Sequence, residues 1–160
     1  MIKYITAETM WIPLPIKLKG MTTYIHLDKG YCWDGCSGLL VYDLCRVASA
    51  LHDWLYIHLG KIFVKFSDGT TDYVTLSRKQ CDQIYRKVLS YSSNYFRRWE
   101  RYFALRSIGG KYWVEKQAII VNTDNLTDKR TCPHNYPKCC YHPNSQMDVT
   151  WWEPFKYYKV

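Results

Sequence analysis

The chain has 160 residues and a mass of 19.1 kDa, which favours one domain with its own hydrophobic core. Apolar residues make up 48% of the sequence and charged residues 22%, a balance that excludes an intrinsically disordered segment and a coiled coil. No apolar run approaches the roughly 18 residues that a membrane span needs, and the N-terminus lacks the pattern of a cleaved secretory signal.

The net charge of +8 is concentrated in the second half of the chain. Residues 86–130 contain ten cations and four anions, so this stretch alone carries +6, and it is rich in aromatic residues. Such a stretch can contact phosphate in nucleic acid or in lipid headgroups. The alternative is a solvated helix face beside a hydrophobic stripe, which is the commoner role of a run of charges.

The N-terminal part of the sequence predicts short β-strands. Residues 11–16 contain two prolines, which restrict them to an edge strand or an extended segment. Residues 22–27 are rich in β-branched and aromatic types and end at Asp28-Lys29-Gly30, which predicts a second strand. A glycine-containing loop is expected at residues 31–38.

Residues 42–59 predict an amphipathic helix. Their apolar residues recur at helical spacing, and Gly60 is a typical C-terminal stop. The apolar positions are Leu44, Val47, Ala48, Leu51 and Leu55. Residues 62–66 and 71–76 then predict a β-hairpin, because the Asp68-Gly69 pair between them is a turn signal.

Two further helices are predicted after the hairpin. Ser77 and Gln80 have the spacing of a capping box, so a helix is expected to begin there. The predicted core stripe of that helix is Cys81, Ile84, Tyr85 and Val88. A third helix is expected over residues 95–108, before Gly109-Gly110. Its predicted inward residues are Trp99, Tyr102, Phe103 and Ile108.

The last third of the chain predicts little regular structure. Residues 112–114 and 118–121 have the composition of short strands, and the polar segment 122–128 marks a boundary. We therefore predict an α+β fold with one domain over residues 1–121 and a C-terminal extension over residues 122–160.

The most distinctive motif is His52-Asp53-Trp54-Leu55-Tyr56 on the first predicted helix. His52 and Tyr56 are four residues apart and share a helix face, whereas Asp53 is rotated by about 100° from His52. Asp82 lies one turn into the next helix, and an antiparallel helix pair would bring it within hydrogen-bond reach of His52, roughly 2.6–3.2 Å.

This arrangement suits the activation of water. A neutral imidazole can take a proton from water near pH 7, and a carboxylate such as Asp82 can hold its far nitrogen. Asp53 and the loop at Asp34 can bind a hard cation that stabilises an oxyanion. The alternative is a buried histidine and aspartate that only hold the helices together.

Three motifs resemble a family of small phage and prophage proteins that share a domain of unknown function. The motifs are residues 30–37 with an Asp-Gly-x-Ser-like loop, residues 52–56 with His-Asp-x-Leu-Tyr, and residues 77–85 with Ser-Arg-x-x-x-Asp. An Arg/Trp-rich helix follows in that family, and Phe96-Arg97-Arg98-Trp99 is similar to it. The resemblance covers about residues 20–110. It implies a phage-encoded protein in the virion or in the host bacterial cytoplasm.

A more remote likeness is to secreted and parvoviral phospholipases A2. Those enzymes also have a glycine-rich calcium loop, a His-Asp-x-x-Tyr helix and a later helix with an aspartate. The likeness implies that His52 is the general base, that Asp82 orients it, and that Tyr56 hydrogen-bonds Asp82. It also implies calcium at Asp53. The remaining calcium-binding residues would be Asp34, Gly35 and Ser37.

The C-terminal extension is rich in cysteine and histidine. Its candidate metal ligands are Cys132, His134, Cys139, Cys140 and His142. Thiolate and imidazole groups in one compact loop are typical of tetrahedral zinc, which would also order a polar tail without a core of its own. The alternative is free cysteines or one disulfide. The chain has seven cysteines, an odd number, and no secretory signal, so mostly reduced thiols are expected.

Three functions remain open from the sequence. The first is a phospholipase-A2-like ester hydrolase whose basic aromatic helix faces anionic membrane lipid. The second is a non-enzymatic virion or assembly protein, part of a tail or capsid, that docks on phage structural proteins through aromatic and basic surfaces. The third and least favoured is a nucleic-acid-binding protein, which the +6 stretch motivates.

Overall fold

The structure is a computed structural model of the chain, and it describes residues 3–34, 46–89, 95–131 and 155–160. These residues form three α-helices and two antiparallel four-stranded sheets, which confirms the predicted α+β class. The strands are β1 (Tyr4–Thr6), β2 (Met10–Leu18), β3 (Met21–Leu27), β4 (Cys32–Trp33), β5 (Lys61–Phe66), β6 (Thr71–Thr75), β7 (Lys129–Thr131) and β8 (Lys156–Lys159). The helices are α1 (Arg46–Ile57), α2 (Arg78–Leu89) and α3 (Tyr95–Ile108).

The first sheet has the order β2-β3-β5-β6 and contains the predicted hairpin. Along β5 the side chains alternate between exposed and buried, as expected for a strand with one face on the core. Gly69 takes a positive φ of 88° in the hairpin turn, a conformation that glycine tolerates best. The proline-containing strand β2 lies at the sheet edge, as its composition predicts, and its pairing with β3 is irregular between Pro13 and Lys17.

The second sheet has the order β4-β1-β8-β7 and joins the two ends of the chain. Tyr4 of β1 pairs with Lys159 of β8, while Phe155 and Tyr157 are buried in the core. These two residues of the aromatic C-terminus therefore pack on the protein itself. The boundary after residue 121 stays a prediction, although the described parts of the extension join the sheet of β1.

Helix α1 occupies the centre of the core. Val47, Ala48, Leu51 and Leu55 are all buried, as the helical pattern predicts. The predicted first turn at residues 42–45, with Leu44, lies outside the described residues. After α1 the chain turns at Gly60, whose φ is 72°, and a Cβ there would lie 2.0 Å from the carbonyl oxygen of Leu76. Glycine is needed at this close approach.

Helix α2 begins with the predicted capping box. The amide of Ser77 donates to Oε1 of Gln80 at 2.8 Å, and the amide of Gln80 donates back to Oγ of Ser77 at 3.3 Å. All four residues of the predicted core stripe are buried. Helix α2 packs against α1 on one side and α3 on the other.

Helix α3 has the predicted bounds, but part of its predicted inward face is wrong. Tyr102 is buried, whereas Phe103 is 59% exposed and Ile108 is 49% exposed. The reason is that α3 packs on α2 through the face that carries Trp99 and Tyr102, whose rings lie 4.2 Å and 4.9 Å from the guanidinium of Arg86. None of the described helices is long and apolar enough to cross a membrane.

The two strands predicted after α3 do not form. Residues 109–111 make a 3₁₀ turn, residues 112–121 are irregular, and Ile120 alone makes a single bridge, to Tyr31. Ile119 and Ile120 are 61% and 52% exposed, so their apolar character does not reflect burial in a sheet.

Candidate functional site

Three helices bring the polar residues of the site together. Helix α1 supplies His52, Asp53 and Tyr56, α2 supplies Asp82, and the last turn of α3 supplies Arg106. The buried stripes of α1 and α2 fix the distance between the helices, because the apolar residues beside these polar ones are fully buried.

Asp82 is the centre of the cluster and is completely buried. Tyr56 Oη donates to its Oδ1 at 2.5 Å, and Arg106 Nη1 donates to its Oδ2 at 2.9 Å. His52 Nε2 lies 3.4 Å from Oδ1, within reach but longer than the distance expected from the sequence. Burial raises the pKa of Asp82, but these partners outweigh burial and hold the pKa below its usual range. The group is therefore an anion near neutral pH.

His52 lies between two carboxylates. Its Nε2 faces Asp82, and its Nδ1 is 3.7 Å from Oδ1 of Asp53. Burial lowers the pKa of His52, but the two carboxylates outweigh burial and raise the pKa above that of an ordinary histidine. With Nε2–H donated to Asp82, the neutral ring leaves Nδ1 free to accept a proton.

The ring of His52 is also held by aromatic contacts. The ring centres of His52 and Tyr56 are 4.1 Å apart, and those of His52 and Tyr85 are 4.8 Å apart. Tyr56 is fixed in turn by Trp113, at 5.0 Å, and by Gly109, where a Cβ would lie 2.9 Å from the tyrosine hydroxyl. The imidazole is therefore positioned by packing as well as by hydrogen bonds.

Asp53 stands beside a second carboxylate. Burial raises the pKa of Asp53, His52 lowers it in part, and the nearby Asp34 raises it again. Two neighbouring carboxylates are a suitable donor set for a hard cation such as calcium. No group of three or more potential metal ligands is formed within the part of the chain that the structure describes.

The cluster opens into a cavity of about 510 Å³. His52, Asp53 and Asp34 line it, so the imidazole and both carboxylates face the same space. Helix α3 contributes a further wall through Arg101, Ala104, Leu105 and Ile108. A cavity of this volume with a few convergent polar groups is typical of a small-molecule site.

The structure brings together the residues predicted as the catalytic group, namely His52, Asp82 and Tyr56. Asp53 and Asp34 of the predicted calcium site meet at the same cavity, whereas Gly35 and Ser37 lie outside the described residues. The five predicted zinc ligands, from Cys132 to His142, also lie outside them, so zinc stays a prediction.

Sequence reasoning missed the contribution of α3. Arg106 completes the hydrogen bonds of Asp82, and Arg101 lines the cavity, yet both were counted only as members of a basic stretch. One signal was present, because Arg101 shares a helix face with Leu105 and Ile108. Nothing in the sequence pairs Arg106 with Asp82, because that contact depends on how α3 docks.

Comparison with known proteins gives no relative from which a role can be transferred. No protein-family model, no curated protein and no solved structure matches this chain.

Proposed function

We propose that the protein is a hydrolase of the phospholipase A2 type, which cleaves a carboxylic ester of a phospholipid with His52 as general base. The observation that carries this proposal is the contact of His52 Nε2 with the buried anion Asp82, on the wall of a cavity. A histidine with its far nitrogen held by a carboxylate is the arrangement that general-base catalysis needs.

The reaction follows from the two ring nitrogens of His52. Nδ1 takes a proton from a water molecule in the cavity as the oxygen of that water attacks the ester carbonyl. Asp82 stabilises the imidazolium that forms, and Tyr56 and Arg106 hold Asp82 in place. The imidazolium then returns the proton to the departing alcohol oxygen. The products are a fatty acid and a lysophospholipid.

The phospholipase resemblance also implies calcium, and the residues present fit that ion. Asp53 and Asp34 supply hard oxygen ligands, and their proximity raises the pKa of Asp53, a cost that a bound cation relieves. Calcium would supply a positive charge beside the developing oxyanion. With calcium bound, the negative charge of Asp53, 3.7 Å from His52, would be compensated by the ion.

The surroundings of the cavity suit a lipid. Ile108, Tyr112 and Ile119 line it and are also exposed, at 49%, 62% and 61%. Exposed apolar side chains beside a site are an arrangement by which a protein meets a lipid surface. These side chains offer an acyl chain apolar contact at the cavity.

The proposal is tested by fatty acid release from phosphatidylglycerol vesicles with calcium present. Wild type is expected to release fatty acid, and His52→Ala to release it at least about 100-fold more slowly, the usual minimum contribution of a general base. His58→Ala is the matched control, because His58 does not line the cavity. Equal rates for wild type and His52→Ala, or no release by wild type, would remove the proposal.

A non-enzymatic virion or assembly role is a second proposal, favoured by an exposed aromatic row on the first sheet. The three rings form a row: the centres of Trp11 and Phe63 are 5.9 Å apart, and those of Phe63 and Tyr73 are 5.1 Å apart. Tyr73 is 75% exposed. Exposed aromatic clusters are common in protein interfaces. Tyr73→Ser is expected to weaken incorporation into phage particles in this case, while hydrolysis is absent.

The structure reduces the charge available for nucleic acid. Several cations of the +6 stretch are engaged within the protein. Arg86 lies over Trp99, Arg106 pairs with Asp82, Lys129 with Glu8, and Arg130 with Asp128. A nucleic-acid role therefore remains the least favoured proposal, and a steep fall of DNA binding with salt would be needed to support it.

A further inference from the structure

The cavity contains a buried charge that the hydrolysis mechanism does not use. Arg101 of α3 is 7% exposed and lines the cavity. Its Nη1 is fully buried, and no other described residue offers that nitrogen a hydrogen bond. In contrast, Arg106, one turn further along α3, is paired with Asp82.

An arginine in this position calls for a partner. The guanidinium stays protonated at all ordinary pH values, and a buried donor nitrogen without a hydrogen bond is unfavourable. Buried polar atoms in folded proteins almost always have a hydrogen-bond partner, so an exception on a cavity wall points to a ligand. The partner that fits a guanidinium is an anion with two oxygen atoms, such as a phosphate or a carboxylate.

The neighbours of Arg101 indicate which anion fits. Lys3 and Lys116 also line the cavity, so among the described residues three cations face the space beside the two carboxylates of the proposed calcium site. Ala104 and Leu105 flank Arg101 on the same wall and are apolar. A ligand with a phosphate group and an attached hydrocarbon matches both features, because the phosphate meets the cations and the hydrocarbon meets the apolar side chains.

We propose that Arg101 binds the phosphodiester group of the phospholipid substrate in this cavity. The identity of the anion rests on the proposed hydrolase function, whereas binding of a phosphodiester at Arg101 does not require any catalysis. The planar fork of the guanidinium holds both free phosphate oxygens and so positions the lipid in the same space as His52.

The experiment measures binding with a lipid analogue that cannot be hydrolysed. Dodecylphosphocholine, used below its micelle concentration, carries a phosphodiester and an alkyl chain but no carboxylic ester. Wild type is expected to melt at a higher temperature as this probe is added, because a ligand that binds the folded state stabilises it. Arg101→Gln is expected to bind it roughly ten- to a hundredfold more weakly, the factor for losing a charge-assisted hydrogen bond.

Two controls separate this binding site from a general charge effect. Arg97→Gln removes the same charge from an exposed position on α3 that does not line the cavity, and it is expected to bind like wild type. Inorganic phosphate and sodium decanoate are tested as alternative anions. Protection by inorganic phosphate alone, or by decanoate alone, would overturn the assignment to a lipid phosphodiester.

A structural role for Arg101 predicts a different result. If Arg101 only supports the fold, Arg101→Gln lowers the melting temperature without ligand and leaves binding of the probe unchanged, which would overturn the proposal. We expect instead a melting temperature equal to or above that of wild type, because a buried nitrogen without a hydrogen bond has been removed. Arg101→Lys serves if the glutamine variant does not fold, since it keeps the charge but loses the two-pronged contact.

The same measurement distinguishes this inference from the hydrolase proposal. Binding of dodecylphosphocholine by wild type and Arg101→Gln is compared with fatty acid release by wild type and His52→Ala. Binding that depends on Arg101 in a protein without hydrolytic activity would remove the hydrolase and leave the phosphodiester site. Hydrolysis that depends on His52 but not on Arg101 would do the reverse.

Discussion

The cavity has two walls of different character. The wall from α1 and α2 presents His52 to the cavity, and the buried Asp82 lies behind it, with each oxygen of its carboxylate in a hydrogen bond. The wall from α3 and the segment after it holds a buried arginine with an unpaired nitrogen, and it carries exposed apolar side chains such as Ile119. The difference is that the polar groups of the first wall satisfy one another, whereas the second wall keeps a buried nitrogen without a hydrogen bond, as expected if the first wall is the proposed catalytic group and the second the proposed ligand site.

The largest loss of stability is expected from a change at Asp82, the buried carboxylate behind the first wall. Asp82→Asn replaces the anion that faces His52 and Arg106, and we expect it to destabilise the fold by about 2–4 kcal/mol, because a partner of a buried charge is lost. Urea unfolding measures the change. Asp72→Asn is the matched control, since its ion pair with Lys19 is exposed to solvent and is expected to contribute little to stability. Equal losses of stability in the two variants would show that Asp82 does not hold the polar cluster together.

A smaller loss of stability is expected at Gly109, a residue of the second wall that lies against Tyr56 of the first. In Gly109→Ala the new Cβ would lie 2.9 Å from the hydroxyl of Tyr56, which its bond to Asp82 prevents from moving freely. We expect a loss of about 1–2 kcal/mol, typical of overpacking. In Gly110→Ala the new Cβ meets only the end of the Arg78 side chain, so a shift puts at risk only the hydrogen bond from Arg78 to the carbonyl oxygen of Arg106, and a smaller change is expected in the unfolding midpoint. The opposite order of the two variants would contradict the packing of Tyr56.

A change on the second wall alone is expected to spare stability and alter binding. Ile119→Ser replaces a residue that is 61% exposed, so the free energy of unfolding should stay within about 0.5 kcal/mol of wild type. Binding to phosphatidylglycerol vesicles, measured by co-sedimentation, should weaken by about three- to tenfold because apolar contact is lost. Tyr73→Ser, on the first sheet, should leave vesicle binding unchanged. Equal vesicle binding by wild type and Ile119→Ser would separate the second wall from the membrane.

A gradual pH dependence is expected from the first wall. The pKa of His52 is raised in the folded state, so its stabilising contribution is fully present below the unfolded value of about 6.5. That contribution is lost as the pH rises through the folded pKa. The melting temperature should therefore fall above about pH 6.5, and His52→Gln should flatten the fall while His58→Gln retains it. An unchanged pH profile in His52→Gln would assign the titration to another group.

The same two walls show what the sequence could predict. The elements of the first wall follow from local signals: the apolar spacing of α1, the Ser77–Gln80 capping box and the Asp68-Gly69 turn all describe contacts within a few residues. The proximity of His52 and Asp82 could also be predicted, because both residues lie next to the buried stripes of their helices. These signals do not depend on the rest of the fold.

The second wall could not be predicted in the same way. The predicted bounds of α3 are correct, but the exposure of Phe103 depends on which face of α3 packs on α2. The apolar segment containing Ile119 and Ile120 was read as a strand, because composition alone does not distinguish a buried strand from an apolar rim. The pairing of Arg106 with Asp82 joins elements 24 residues apart and leaves no local trace.

The most direct test of the central claim is the ratio of fatty acid release rates for His58→Ala and His52→Ala on the same phosphatidylglycerol vesicles, at matched melting temperature. His52 is on the cavity wall and touches Asp82, whereas the ring of His58 hydrogen-bonds the backbone oxygen of Trp54, packs on the Trp54 ring and does not line the cavity. We predict a ratio of at least about 100 in favour of His58→Ala. A ratio near one would contradict the assignment of His52 as the general base.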